Sequence, residues 1–162
     1  MTEEKTEHPA GKRPAFAFSS DEKEAFSLHD CRAKSASFED GRLTFFFPDG
    51  IFWTGYGRDW PNTGPAAAAF DVSSPDDVRF YLFTERDGET VRERVPAEEL
   101  IGGIIAGAWE LEFLYRYDGY RDLLYLCEVW QSCEPYSRQA QLFIGTDRAV
   151  FFWNPPADGQ GG

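Results

Sequence analysis

The chain has 162 residues, 42% hydrophobic and 17% aromatic, with 28 acids against 16 lysines and arginines for a net charge of −12. One domain of ordinary size accounts for that length, and the apolar content suffices for a packed core, which excludes a wholly disordered chain. Collagen-like, coiled-coil and helical membrane-spanning classes are excluded by the lack of repeat, heptad or long apolar run, and the acidic balance opposes binding to nucleic acid or an anionic membrane.

Residues 1–24 are polar and broken by Pro9, Gly11 and Pro14, which predicts a flexible N-terminal arm; Ser19 and Glu22 offer one weak capping box. A single β-rich domain is expected over 25–154 and a flexible tail over 155–162, where Pro155 and Pro156 oppose further regular structure. The acidity is not a property of the ends, because residues 26–154 carry 21 acids and 12 bases, Lys34 being the only lysine there.

Within the domain, period-two alternation is punctuated by Asp40-Gly41, Asp87-Gly88 and Asp118-Gly119. Asp-Gly supplies the positive φ angles of a two-residue type I′ turn, so each pair predicts a hairpin. The first sets Glu39 against Arg42, Phe38 against Leu43, Ser37 against Thr44 and Ala36 against Phe45, with the apolar residues on one face. The third, taken as a two-residue loop, puts Glu110, Glu112, Arg116 and Tyr125 on one face. It also sets Arg116 against Arg121, a like-charge pair that a longer loop would relieve. Further strands are predicted over 66–73, 78–84, 90–95, 138–144 and 148–153, the last two joined by Gly145-Thr146-Asp147 as a hairpin loop. Pro96, two early acids and the closing Gly102-Gly103 predict one short helix near 96–102. The fold class that follows is mostly β: an antiparallel hairpin meander forming a curled sheet, a sandwich or a partly open barrel.

Three cysteines at uneven spacing, Cys31, Cys127 and Cys133, make a poor disulfide framework, and no apolar leader follows Met1. A reduced, cytoplasmic protein with free thiols is expected, a Cys127–Cys133 bridge being the minor alternative. His29 and Cys31 share a face of an extended segment, as a nucleophile and its base would. Catalysis would also need an oxyanion site and a group to orient the imidazole, so His29 and Asp30 read first as a polar structural site. No metal or cofactor is expected: His8 and His29 are the only histidines, and CxxC, HExxH and glycine-rich phosphate-loop spacings are absent.

Two binding patches stand out. Glu110 and Glu112, with Tyr125 and the facing Glu128, resemble the paired carboxylates of sheet-based glycosidases, although alternating acids on a strand are more often its solvated face. The stretch WTGYGRDWPNTG adds Trp53, Tyr56, Arg58, Asp59 and Trp60, a composition suited to stacking on a planar ligand, a sugar or a protein surface.

The segment SLHDCRAKSASFEDGRLTFFFPDGIFW, Ser27 to Trp53, resembles the opening of small bacterial β-domains, some of them immunity-protein-like: a Leu-His-Asp element, a hairpin with an acidic-Gly turn, then a Phe-rich strand. The resemblance implies a non-enzymatic, protein-binding role and touches only His29 and Asp30 among the candidate residues. Together with the charge, it favours a cytoplasmic domain that binds a basic protein partner as an immunity or inhibitor protein would. The alternative is a small-ligand or carbohydrate-binding domain, hydrolytic through Glu110 and Glu112. A homodimer with a merely solvated acidic face is the third reading.

Overall fold

Two of the three Asp-Gly pairs make the tight reversals predicted for them. Asp40 and Gly41 sit at φ 53° and 71°, Asp87 and Gly88 at 51° and 80°, the left-handed pair of angles that a two-residue turn demands. They close β4 (Ser35–Glu39) onto β5 (Arg42–Phe47) and β8 (Val78–Arg86) onto β9 (Glu89–Val95). In the first hairpin Glu39, Phe38, Ser37 and Ala36 oppose Arg42, Leu43, Thr44 and Phe45, the register expected from the pattern.

The computed structural model describes residues 15–54 and 62–156. The remaining elements are β1 (Phe18–Ser20), β2 (Phe26–Ser27), β3 (Cys31–Ala33), β6 (Phe52–Trp53), β7 (Ala66–Asp71), α1 (Ala97–Ile105), β10 (Glu110–Asp118), β11 (Asp122–Trp130), β12 (Ser137–Gly145) and β13 (Ala149–Trp153). A five-stranded sheet runs β1-β13-β7-β5-β4, a six-stranded sheet β3-β10-β11-β12-β8-β9, and β2 pairs with β6 alone. Every pairing is antiparallel.

The two larger sheets share one core, the sandwich among the expected architectures. Phe45, Phe47 and Phe70 from the first meet Phe113 and Tyr125 from the second; the Phe113 ring lies edge-on to Phe45 at 5.2 Å and to Phe47 at 5.5 Å. β3 and β4 are nearly one extended stretch that leaves the six-stranded sheet at Lys34 and enters the five-stranded one. α1 rests against β4 and β8 and closes the core with Leu100 and Ile104, both fully buried.

The alanine run shows why a strong helix former can be a strand. Ala67 sits between Phe46 and Phe152, and Ala68 between Phe45 and Phe151. Small side chains on the central strand make room for phenylalanines on both neighbours, and that packing overrides propensity.

Several expectations change. Gly145-Thr146-Asp147 is not a hairpin loop: β12 already has β11 and β8 on its two sides, and β13 crosses to the other sheet between β7 and β1. Asp118-Gly119 is not a two-residue turn either; Asp118 opposes Leu123, with four residues between that pair, and Arg121 takes the positive φ of 58°. The helix does not stop at Gly102-Gly103 but continues to Ile105, and Gly103 lies inside it because any Cβ there would press into the Trp109 ring at 2.7 Å. In the stretch expected to be an arm, Phe18–Ser20 adds β1 to the edge of the five-stranded sheet, and a 3-10 turn forms over Lys23–Ala25.

Candidate functional site

The His29 motif finds its role at an irregularity in β10. Phe113 opposes Cys127 and Tyr115 opposes Leu126, so Leu114 is an extra residue, a β-bulge. The turn Leu28–Cys31 clamps it: the Asp30 amide donates to the Phe113 carbonyl at 2.8 Å, and His29 Nδ1–H donates to the Leu114 carbonyl at 2.5 Å. Asp30 takes φ 60° to make this turn, and its carboxylate lies 3.3 Å from His29 Nε2. The Nδ1 nitrogen is thus held by the bulge, and the Cys31 thiol turns to backbone carbonyls rather than to the imidazole. The Cys31 thiol donates weakly to the His29 carbonyl at 3.5 Å, and burial pushes it up to about 12.

The bulge reverses the faces of everything after it. Before it, Leu111 and Phe113 point into the core and Glu110 and Glu112 out; beyond it, Tyr115 and Tyr117 point out and Arg116 turns in, opposite Tyr125. The expected grouping of Glu110 and Glu112 with Tyr125 is therefore overturned: the two glutamates and the tyrosine are on opposite faces of the sheet.

On the inner side Arg116 and Tyr125 line a cleft of about 360 Å³. Phe26, Leu28, Phe113 and Phe151 supply apolar walls; Glu24, His29 and Thr54 stand among its polar residues. Arg116 donates from Nη1 to the Lys23 carbonyl at 3.2 Å and from Nη2 to Glu24 Oε2 at 3.1 Å, and its Nε lies 3.1 Å from Asp118 Oδ1. Lys23 Nζ meets the other Asp118 oxygen at 3.3 Å. The Tyr125 hydroxyl is buried beside Arg116, and that burial raises its pKa and keeps it a neutral donor at ordinary pH.

On the outer side Glu110 and Glu112 are tied into an ionic cluster. Arg32 reaches Glu110 at 3.4 Å and Glu112 at 3.3 Å, lies 4.6 Å over the Trp130 ring, and Glu112 accepts the Trp130 indole N–H at 2.8 Å. This carboxylate pair is occupied by protein donors rather than held open for a substrate. Trp53 is half-buried against the core, 6.3 Å from Trp153, so it is not an exposed platform. Tyr56, Arg58, Asp59 and Trp60 lie outside the described residues.

The same outer face carries a surface that pattern alone did not single out. Tyr115, Leu126, Gln141 and Tyr81 form one row across β10, β11, β12 and β8, and Tyr117, Leu124, Phe143 and Arg79 form the next. Tyr115 and Tyr117 are 56% and 55% exposed. Arg92 lies 3.6 Å over the Tyr81 ring and Arg79 4.7 Å over Phe143, their alkyl stems extending the apolar strip. Glu110, Glu112 and Glu128 mark the β10–β11 end of this face; Arg79, Arg92 and Arg94 mark the β8–β9 end. The one signal of this face in the sequence is the 17% aromatic content, more than the core and the 53–60 stretch require.

All three cysteines are free, Cys31 and Cys127 buried and Cys133 exposed. Burial raises the Cys127 thiol as well. Iodoacetamide at pH 8 is expected to alkylate Cys133 alone in the folded protein and all three in denaturant, read by intact mass. Rapid native labelling of Cys31 would show that the clamp on the bulge opens readily.

No helix among the described residues is long and apolar enough to cross a membrane. No family model, curated protein or solved structure matches the chain.

Proposed function

We propose that this chain is a non-catalytic domain of the bacterial cytoplasm that binds a basic protein partner, as an immunity or inhibitor protein does, through the outer face of its six-stranded sheet. The observation that carries this is the aromatic and aliphatic strip from Tyr115 and Tyr117, both exposed, through the half-buried Leu124, Leu126 and Phe143 to Tyr81, on a sheet whose other side is the core. Six strands ~4.8 Å apart, with long strands rising ~3.3 Å per residue, give a face of roughly 700 Å², close to the share one partner contributes to a standard interface. Aromatics ringed by charge are the usual anchors of such a surface. A net charge of −12 favours encounter with a positively charged protein.

The test compares wild type, Leu126→Asp and a Glu134→Ala control in quantitative affinity capture from the source cell, followed by calorimetry on the purified partner. The expected partner is basic, binds the control as it binds wild type, and loses at least tenfold in affinity for Leu126→Asp while circular dichroism shows an intact sheet. Equal binding by Leu126→Asp would remove this face from the reading. A dimer in sedimentation that Leu126→Asp dissociates would make a second copy the occupant and overturn the basic partner.

A further inference from the structure

We propose that the cleft between the 3-10 turn Lys23–Ala25 and strand β10 is a binding site for a small monocarboxylate with an apolar body, anchored on Arg116, and that the Glu24 side chain occupies the anchor until the ligand displaces it. The site lies on the inner side of β10, away from the sheet face on which the protein-binding reading rests except where the His29 ring comes within 5.1 Å of Tyr115, and nothing in that reading requires it.

The argument begins with the partners of Arg116. Its guanidinium side chain is 22% exposed and reaches three acceptors: a backbone carbonyl, Asp118 on its own strand, and Glu24. Glu24 differs from the others, since its side chain is 79% exposed. An ion pair held mostly in water adds little to stability, so releasing this one costs little. The backbone of the turn does not have to follow. Thr54 Oγ1 donates to the Glu24 carbonyl at 2.7 Å, Arg116 holds the Lys23 carbonyl, and the Ala25 amide bonds the Glu22 carbonyl at 3.0 Å. The carboxylate can swing into solvent while its turn stays pinned.

What is left behind is a site of defined charge and shape. Arg116 and Lys23 face Asp118, two cations against one anion, so departure of Glu24 leaves one positive charge uncompensated. A single carboxylate restores neutrality, and the Nη2 donor that Glu24 vacates receives it in a charge-assisted hydrogen bond. Phe26, Leu28, Phe113 and Phe151, all nearly buried, back the cleft over which the apolar body would lie, in a volume within the ordinary range of small-molecule sites. A dicarboxylate would leave a second charge against these rings, which fixes the class as aryl- or branched alkyl-monocarboxylates.

Phenylacetate and its neutral isostere phenylacetamide are the probes, titrated into the full chain and followed by amide chemical shifts. Saturable binding of phenylacetate is expected at the Phe26, Thr54 and Arg116 resonances, with phenylacetamide at least tenfold weaker. Glu24→Ala, an exposed substitution that leaves the core intact, should tighten phenylacetate at least threefold by removing the internal competitor. Leu126→Asp should leave this titration unchanged, so the outcome is independent of the protein-binding surface. Binding of acid and amide with equal affinity, no effect of Glu24→Ala, or no saturable shift for either protein at 50 mM acid would each overturn the proposal.

Discussion

Replacing Phe113 by alanine is expected to lower the unfolding free energy by about 3–5 kcal/mol, read as a shift in urea midpoint at unchanged slope. The ring is fully buried and stands between the sheets, edge-on to Phe45, Phe47 and Tyr125. Removing it forfeits apolar burial and opens a cavity that two hydrogen-bonded sheets cannot collapse to fill. Domains of this size hold about 5–15 kcal/mol in reserve, so the variant should be marginal at physiological temperature. Tyr115→Ala, two positions along but on the exposed face, should cost less than about 1 kcal/mol. Similar losses for the two variants would mean that the bulge does not separate an inner from an outer face.

The second large effect is expected at Gly50. It sits at φ 86°, and a Cβ built there would lie 2.2 Å from the Thr63 carbonyl oxygen and 2.8 Å from that of Gly64. The close approach is structural: Thr63 bonds Ile51 in both directions, its amide donating to the Ile51 carbonyl at 2.8 Å and its hydroxyl accepting the Ile51 amide at 3.0 Å. Gly50→Ala therefore combines left-handed strain of about 1–2 kcal/mol with displacement of a buried backbone crossing, for a total of about 3 kcal/mol or more. Gly88→Ala isolates the first contribution, because Gly88 has φ 80° and open space around it. Chemical denaturation of both variants measures the difference. Equal losses would show that the crossing yields, leaving strain as the whole effect.

What could be read from the chain beforehand followed the range of each signal. The hairpins at Asp40-Gly41 and Asp87-Gly88 are local: turn chemistry and alternation meet within a dozen residues, and both registers follow. Sheet membership is not local. Nothing between Gly145 and Asp147 says that β12 is already paired on both sides, so proximity in sequence suggested a hairpin where the chain changes sheets. The bulge at Leu114 leaves alternation intact on each side of it, and a single inserted residue is invisible in that pattern. Its one trace was the Arg116–Arg121 clash, which pointed to a longer loop but not to the reversal that separates Tyr125 from Glu110 and Glu112. Glu24 gave no sign at all, since a short turn in a polar segment has the same composition as an arm. His29 and Tyr125 were both candidates, yet only the folded chain brings them to one cleft.

The position of β13 has a consequence for biosynthesis. It lies between β1 and β7, so the last strand among the described residues occupies the interior of its sheet, not the rim. Until it arrives, the alanine-rich border of β7 is an open row of amides and carbonyls, and β1 has no strand to join. A nascent chain halted before Ala149 would carry an unsealed sheet able to recruit other polypeptides, and the sheet closes only once Ala149–Trp153 has emerged from the ribosome.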